Sequence, residues 1–128
     1  MLRTFLTGKI HRATVTAADI SYVGSITIDA VLLEAAGFEN YEQVHVVNVT
    51  NGSRLVTYAM VGSSGDIVLN GAAARLAAPG DKVIILAYGQ FTPAELLTYR
   101  PNIVLVDDDN HILEVRHPGL SDEMALVQ

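Results

Sequence analysis

"DISYVGSITIDA", residues 19–30, places a glycine and a serine inside a run that otherwise reads as a β-strand. Val23, Ile26, Thr27 and Ile28 favour extended backbone, and a glycine within such a run marks a bulge or a close approach of another backbone segment. The same dipeptide recurs at 52–53 in "TNGSR" and at 62–63 in "VGSSGD", both ordinary turn chemistry. Only Gly24-Ser25 interrupts a strand, so strained backbone is expected there and needs a use.

Outward from this stretch the chain is a succession of short alternating or β-branched segments: "LRTFLT", "KIHRATVT", "SITID", "QVHVVNVT", "RLVTYAMV", "DIVLN", "KVIILAY", "NIVLV" and "HILEVR". Turn signals at "TNGS", "SSGD", "APGD" and "DDDN" separate them. Helical interruptions are brief. "DAVLLEAAG" starts at an Asp and ends at Gly37, "NGAAARLAAPG" is Ala-rich, and "TPAELLTY" opens with Thr then Pro. The expected fold is mainly β with short helices. So many strands in 128 residues suggest a closed barrel, because closure removes the exposed edges of an open sheet.

The composition bounds the function. A chain of 128 residues suits one domain, 1–128, and the absence of an internal repeat or linker agrees. Half the residues are hydrophobic and 17% are charged, enough for a packed core. The net charge of -6 argues against a protein that neutralises phosphates, so no nucleic-acid partner is expected. With no cysteine, neither disulfides nor thiolate metal sites are available. The start "MLRTFLTGKIHR" lacks the apolar stretch of a signal peptide, and no run approaches the ~20 residues of a membrane span. A cytoplasmic protein with no membrane partner is the expectation. "NVT" and "NGS" match the glycosylation pattern but read as hairpin residues. The tail after Pro118 reads as a mobile segment whose Met124, Leu126 and Val127 could dock on a neighbour.

Strand period places Lys9, His11 and Ala13 on one face of "KIHRATVT", and Arg54, Val56 and Tyr58 together in "RLVTYAMV". If those faces meet, two cations, an imidazole and a phenol line one cavity. Alternatively the charged residues are solvated and Tyr58 is a core tyrosine, the reading that spacing alone favours. In "LNGAAARLAAPGD", Asn70-Gly71 can turn the chain, and Ala72 and Ala73 are small enough for a ligand to approach the amides at a helix start; a tightly packed turn reads the same way. "DDDN" has too few spaced oxygens for a calcium loop and reads as a solvated hairpin tip. His45, His111 and His117 lack ligand spacing, so no metal is expected.

Taken together, "KIHRATVTAADISYVGSITID", "NVTNGSRLVTY", "NGAAA" and "PGDKVIILAY", in this order and at this spacing over most of residues 1–100, closely resemble the pyruvoyl-dependent L-aspartate 1-decarboxylases. Arg75 stands where many members of that family have histidine. The resemblance implies a double-psi β-barrel, a homotetramer, and synthesis of β-alanine from L-aspartate for pantothenate and coenzyme A. It also implies cleavage between Gly24 and Ser25 into a small chain, 1–24, and a large chain, 25–128. The Ser25 hydroxyl attacks the preceding carbonyl, amide becomes ester, and elimination and hydrolysis leave a pyruvoyl group. Strain at this peptide, ~1–3 kcal/mol, and oxyanion donors would both help.

The roles carried over with the resemblance are catalysis by Ser25 and Tyr58, Tyr58 donating the proton to the carbanion. Thr57 assists the tetrahedral intermediate, and Lys9 and Arg54 recognise carboxylates, for which Arg54 has the planar fork. Asn70, Gly71, Ala72 and Ala73 contact substrate, with His11 and Tyr22 lining the site. The pyruvoyl carbonyl forms a Schiff base with the substrate amine and serves as the electron sink, so neither pyridoxal phosphate nor a metal is implied. Strand alternation, however, points Thr57 and Tyr58 to opposite faces. Two other functions fit: a pyruvoyl decarboxylase of another acidic amino acid such as glutamate, and a non-catalytic β-barrel binding module with Ser25 intact.

Overall fold

In a computed structural model, which describes residues 1–22 and 24–122, nine strands carry the fold: β1 Arg3–Thr14, β2 Ala17–Asp19, β3 Ser25–Asp29, β4 Gln43–Asn48, β5 Arg54–Gly62, β6 Ile67–Asn70, β7 Lys82–Phe91, β8 Asn102–Val106 and β9 Ile112–Arg116. They are hydrogen-bonded in the order β2-β6-β3-β5-β4-β7-β1-β8-β9. Ladders β1–β8, β2–β6 and β3–β5 are parallel and the others antiparallel. The mainly-β expectation holds. The ends of the order, β2 and β9, do not pair with each other among the described residues. "LRTFLT" and "KIHRATVT" are one continuous strand, β1, with no break at Gly8.

The short helices form where their end signals stand. Helix α1, Ala30–Ala36, is capped by Asp29, whose Oδ1 accepts from the Val31 N–H at 2.8 Å, and stops at Gly37, φ +73. Helix α2, Pro93–Leu96, begins in a reciprocal capping box between Thr92 and Glu95. "NGAAARL" is a 3-10 helix, Gly71–Leu76. One face of each central strand and of α1 fills a single core: Ile10, Ile26, Ile28, Leu32, Val44, Val46, Leu69, Val83, Ile85 and Val104 are all buried. At ~25 cal/mol per Å² of apolar surface, such side chains supply most of the driving force.

Two expectations are corrected. Alternation along β1 fails after Ile10: Ile10 and Ala13, three residues apart, are both in the core. The ladder with β7 slips between them, and Arg12 lies at φ +62, so a bulge turns the strand over. Lys9 and His11 keep one face; Ala13 leaves it. Second, the "DDDN" tip is only partly solvated. Asp108 and Asp109 are exposed, but Asn110 is buried, its Oδ1 accepting from the Thr14 N–H at 2.7 Å and its Nδ2 donating to Thr14 O and Gly65 O. That side chain clips the β8–β9 tip to the end of β1. The "NVT" and "NGS" residues form the β4–β5 turn, where Asn48 Oδ1 accepts from the Thr50 and Asn51 N–H groups. Met124, Leu126 and Val127 lie outside the described residues. No helix among those described is long and apolar enough to cross a membrane.

Candidate active site

Gly24-Ser25 does not interrupt a strand: it is the point at which β3 begins. Upstream, Asp19 Oδ1 accepts from the Ser21 N–H at 3.0 Å and closes a turn, so the β-branched run is broken before Gly24. Ser25 is 2% exposed and sits opposite Asn70 in the antiparallel ladder with β6. The Asn70 Nδ2 donates to Ser25 Oγ at 3.0 Å and to Thr27 Oγ1 at 2.9 Å. Gly71 follows at φ +61, and a Cβ there would fall 2.7 Å from both N and Cα of Gly24 and 2.9 Å from Tyr22 O. Only glycine allows the Gly71 and Gly24 backbones this approach.

On the other side of β3, Ile26 pairs with Ala59 in the parallel ladder with β5. Extended back by two residues, that register sets Gly24 level with Thr57 and Ser25 level with Tyr58. Thr57 shares the face of the buried Ala59, and Tyr58 that of Arg54 and Val56, as alternation requires. Both are half-buried, and the Tyr58 ring lies 6.2 Å from that of Tyr41. Tyr22 is exposed on the preceding turn, Ala72 is exposed, and Ala73 packs on the core.

Lys9 and Arg54 lie elsewhere. Lys9 pairs with Leu86, Leu86 with His45, and His45 with Val56, one continuous row across β1, β7, β4 and β5. Cross-strand partners share a face, so Lys9 and Arg54 project from the same outer surface: Lys9 lies three strand spacings, about 14 Å, from Val56, and Arg54 is two residues further along β5. Burial lowers the Lys9 pKa. Neither cation has a carboxylate partner among the described residues, whereas Lys82, Arg100 and Arg116 do. His11 is buried with both ring nitrogens unpartnered, and its pKa is lowered first by that burial, then by Lys9 and Arg12. A buried polar group left so costs about 1–3 kcal/mol.

Of the candidate site residues singled out from sequence, only His11 lines one of the four clefts described, beside Arg12, Lys82, Asp108 and Glu114. The hairpin tip also gathers Asp107, Asp109 and His111. Asp107 Oδ1 accepts from the N–H groups of Asp109 and His111, and these bonds lower its pKa and account for the cluster. Sequence reasoning missed Thr27, although a period of two puts its hydroxyl on the Ser25 face. His45, weighed from sequence only as a metal ligand, lines another cleft, and its ring meets Tyr88 edge-on at 5.1 Å.

Residues 1–113 match the family model described as aspartate decarboxylase. The chain is 63% identical over 117 residues to aspartate 1-decarboxylase 2 of Gloeobacter violaceus, covering 90% of this chain and 94% of that one. It is 61% identical over 115 residues to that organism's aspartate 1-decarboxylase 1, covering 88% and 98%. With the aspartate 1-decarboxylase of Clostridium beijerinckii it shares 56% identity over 117 residues, 90% and 94% of the two chains. The matched span includes both the head of β3 and the cationic face, and likeness of this extent places the chain in the aspartate decarboxylase family.

Proposed function

We propose that the chain is an aspartate 1-decarboxylase that cuts itself between Gly24 and Ser25 and converts L-aspartate to β-alanine and carbon dioxide with the pyruvoyl group left on residue 25. The observation that carries this reading is the buried Ser25 hydroxyl, held by Asn70 at 3.0 Å beside a Gly24 backbone against which Gly71 leaves no room for a side chain. Oγ bonds to the Gly24 carbonyl carbon as the Gly24–Ser25 amide bond breaks, giving an ester. Elimination then frees residues 1–24 as a carboxylate, and one water replaces the nitrogen of residue 25, which leaves as ammonia. The Asn70 amide donates to Oγ and so favours charge building there. Thr57, level with Gly24 on β5, is placed to act on the attacked carbonyl.

The cradle fits a small carbonyl group: it is buried, has an amide donor, and is closed on one side by glycine backbone. A pyruvoyl group supplies an electron sink for the carboxylate that departs. The chain's own residues do the rest. Lys9 and Arg54, with no carboxylate partner among the described residues, bind the substrate carboxylates, and the partly desolvated Lys9 gains most from a counter-charge. Tyr58, level with Ser25, carries the proton returned to carbon. Ala72 and Ala73 leave space beside the Gly71 backbone, and Tyr22 and His11 border the site.

Because Ser25 and the Lys9–Arg54 face occupy different parts of one protomer, the site is completed between copies in a homotetramer. Exposed Val56, Val61 and Tyr88 support such an assembly. The parallel ladders β1–β8 and β3–β5 within one sheet order support a double-psi β-barrel.

Denaturing mass spectrometry tests the reading. The expected result is fragments 1–24 and 25–128, the second lighter by one ammonia than its serine-started form, with β-alanine and carbon dioxide formed from aspartate without added pyridoxal phosphate or metal. A full-length chain after prolonged warm incubation overturns it. Comparable turnover of glutamate would instead show that the clamp does not set substrate length.

A further inference from the structure

Asn70 reaches Ser25 across 45 residues of sequence, and its amide is held by more than Ser25. Both Nδ2 contacts are at hydrogen-bond distance, one to Ser25 Oγ and one to Thr27 Oγ1. Two hydrogens on one nitrogen thus have two acceptors, both on the same face of β3. Removing the second acceptor frees the amide to rotate about its terminal torsion, which has broad wells.

Thr27 is in turn held by what lies opposite it. In the parallel ladder Thr27 pairs with Met60, and two residues on, Asp29 pairs with Gly62. A Cβ at Gly62 would fall 2.5 Å from the Thr27 Cγ2, so the methyl group of Thr27 fills the space that the absent Gly62 side chain leaves. With the methyl seated there, the stiff χ1 of a β-branched residue fixes where Oγ1 points.

We propose that Thr27, seated against Gly62, is a positioning residue that aims the Asn70 amide at residue 25. Thr27 touches neither the attacked carbonyl nor the leaving nitrogen; it acts through Asn70. The inference rests on the self-cleavage reading for its consequence, since a wandering amide is a weaker donor to the Ser25 oxygen as charge develops. One neutral hydrogen bond is worth roughly 0.5–1.5 kcal/mol, about two- to twelvefold in rate, which brackets a three- to tenfold effect.

The experiment follows cleavage of freshly unfolded and refolded full chain by intact mass, for the natural protein and for Thr27→Val, Thr27→Ser and Gly62→Ala. Thr27→Val keeps the shape and loses the acceptor, and its cleavage should slow about three- to tenfold at an unchanged melting temperature. Thr27→Ser restores the hydroxyl and should recover most of the rate. Gly62→Ala displaces the methyl and should slow cleavage with every atom of Ser25, Thr27 and Asn70 retained. Cleavage at the natural rate in folded Thr27→Val overturns the proposal; if that variant does not fold, the natural rate in Gly62→Ala does so. A natural chain that never cleaves overturns self-cleavage instead. The positioning is then read from the side-chain amide protons of Asn70 by nuclear magnetic resonance: loss of protection from exchange in Thr27→Val supports it, and unchanged protection removes it.

Discussion

The head of β3 and the outer face of β1, β7, β4 and β5 are built on opposite principles. At the head of β3 the buried Ser25 hydroxyl and the half-buried Thr27 hydroxyl both accept from the buried Asn70 amide, and backbone meets backbone at Gly24 and Gly71. On the outer face Lys9 and Arg54 have no carboxylate partner among the described residues, His11 has no hydrogen-bond partner, and Val56 is 57% exposed. On the proposed reading the first region acts within a single chain, whereas the second meets a dicarboxylate and another copy; self-cleavage then needs only the first and turnover of a free amino acid needs both. Substitutions in the two regions should therefore separate self-cleavage from turnover.

The largest effect is expected at the first region. Ser25→Ala removes the oxygen that attacks, so neither fragment should form and no β-alanine should be produced; fragments at the natural rate would break the comparison at its root. Gly71→Ala comes next. It forces an L-residue to φ +61, costing roughly 1–2 kcal/mol, and drives a Cβ to 2.7 Å from Gly24. Cleavage should slow by more than tenfold and melting should fall. Gly52, at φ +80 with nothing within 4 Å of a built Cβ, is the control, since Gly52→Ala carries the backbone strain without the collision and should cleave normally.

Substitutions on the second region should leave cleavage intact. Arg54→Lys keeps the charge and loses the bidentate fork, so KM for aspartate should rise about tenfold while mass spectra still show both fragments. Tyr58→Phe lies between the regions, level with Ser25 and on the same face of β5 as Arg54. It should process normally and turn over on the order of a hundredfold more slowly, because only the proton is missing. Slow processing in Tyr58→Phe would assign the phenol to the first region.

How far these regions were legible in sequence differs by the range of the interaction. Features set within a few residues were readable: Asp29 and Gly37 bounding α1, Thr92 with Pro93 opening α2, and Asn48 to Ser53 turning β4 into β5. Period two put Lys9 with His11 and Arg54 with Tyr58 within their own strands, but that Lys9 and Arg54 share one face depends on the row through β7 and β4, which strand order alone supplies. Arg12 defeated the same rule for Ala13, since a bulge depends on how β1 meets β7, 70 residues away. Asn110 looked like one more polar tip residue, and its role as a clip exists only once Thr14 and Gly65 are brought to it. Asn70 and Gly71 were singled out as a turn or ligand loop, but their hold on Ser25, Thr27 and Gly24 is a property of strand order. The motifs pointed to the family, and the reason for the glycine at 71 required the fold.

The smallest predicted effect belongs to His11 and sharpens what the outer face lacks. Its ordinary pKa of 6.5 is lowered in the folded chain, chiefly by burial and further by Lys9 and Arg12. As pH falls below 6.5 the unfolded chain takes up a proton on His11 that the folded chain refuses. Stability from this residue is therefore full above 6.5 and is lost as pH descends toward the lowered folded value. His11→Phe removes that dependence, so the melting temperature of the natural protein should drop between pH 7 and 5 by more than that of the variant. Saturating aspartate offers the face its counter-charges, and in its presence the difference between the two proteins should shrink, because a nearby carboxylate favours the imidazolium that Lys9 and Arg12 oppose. An unchanged difference with ligand bound would place His11 outside the substrate's reach.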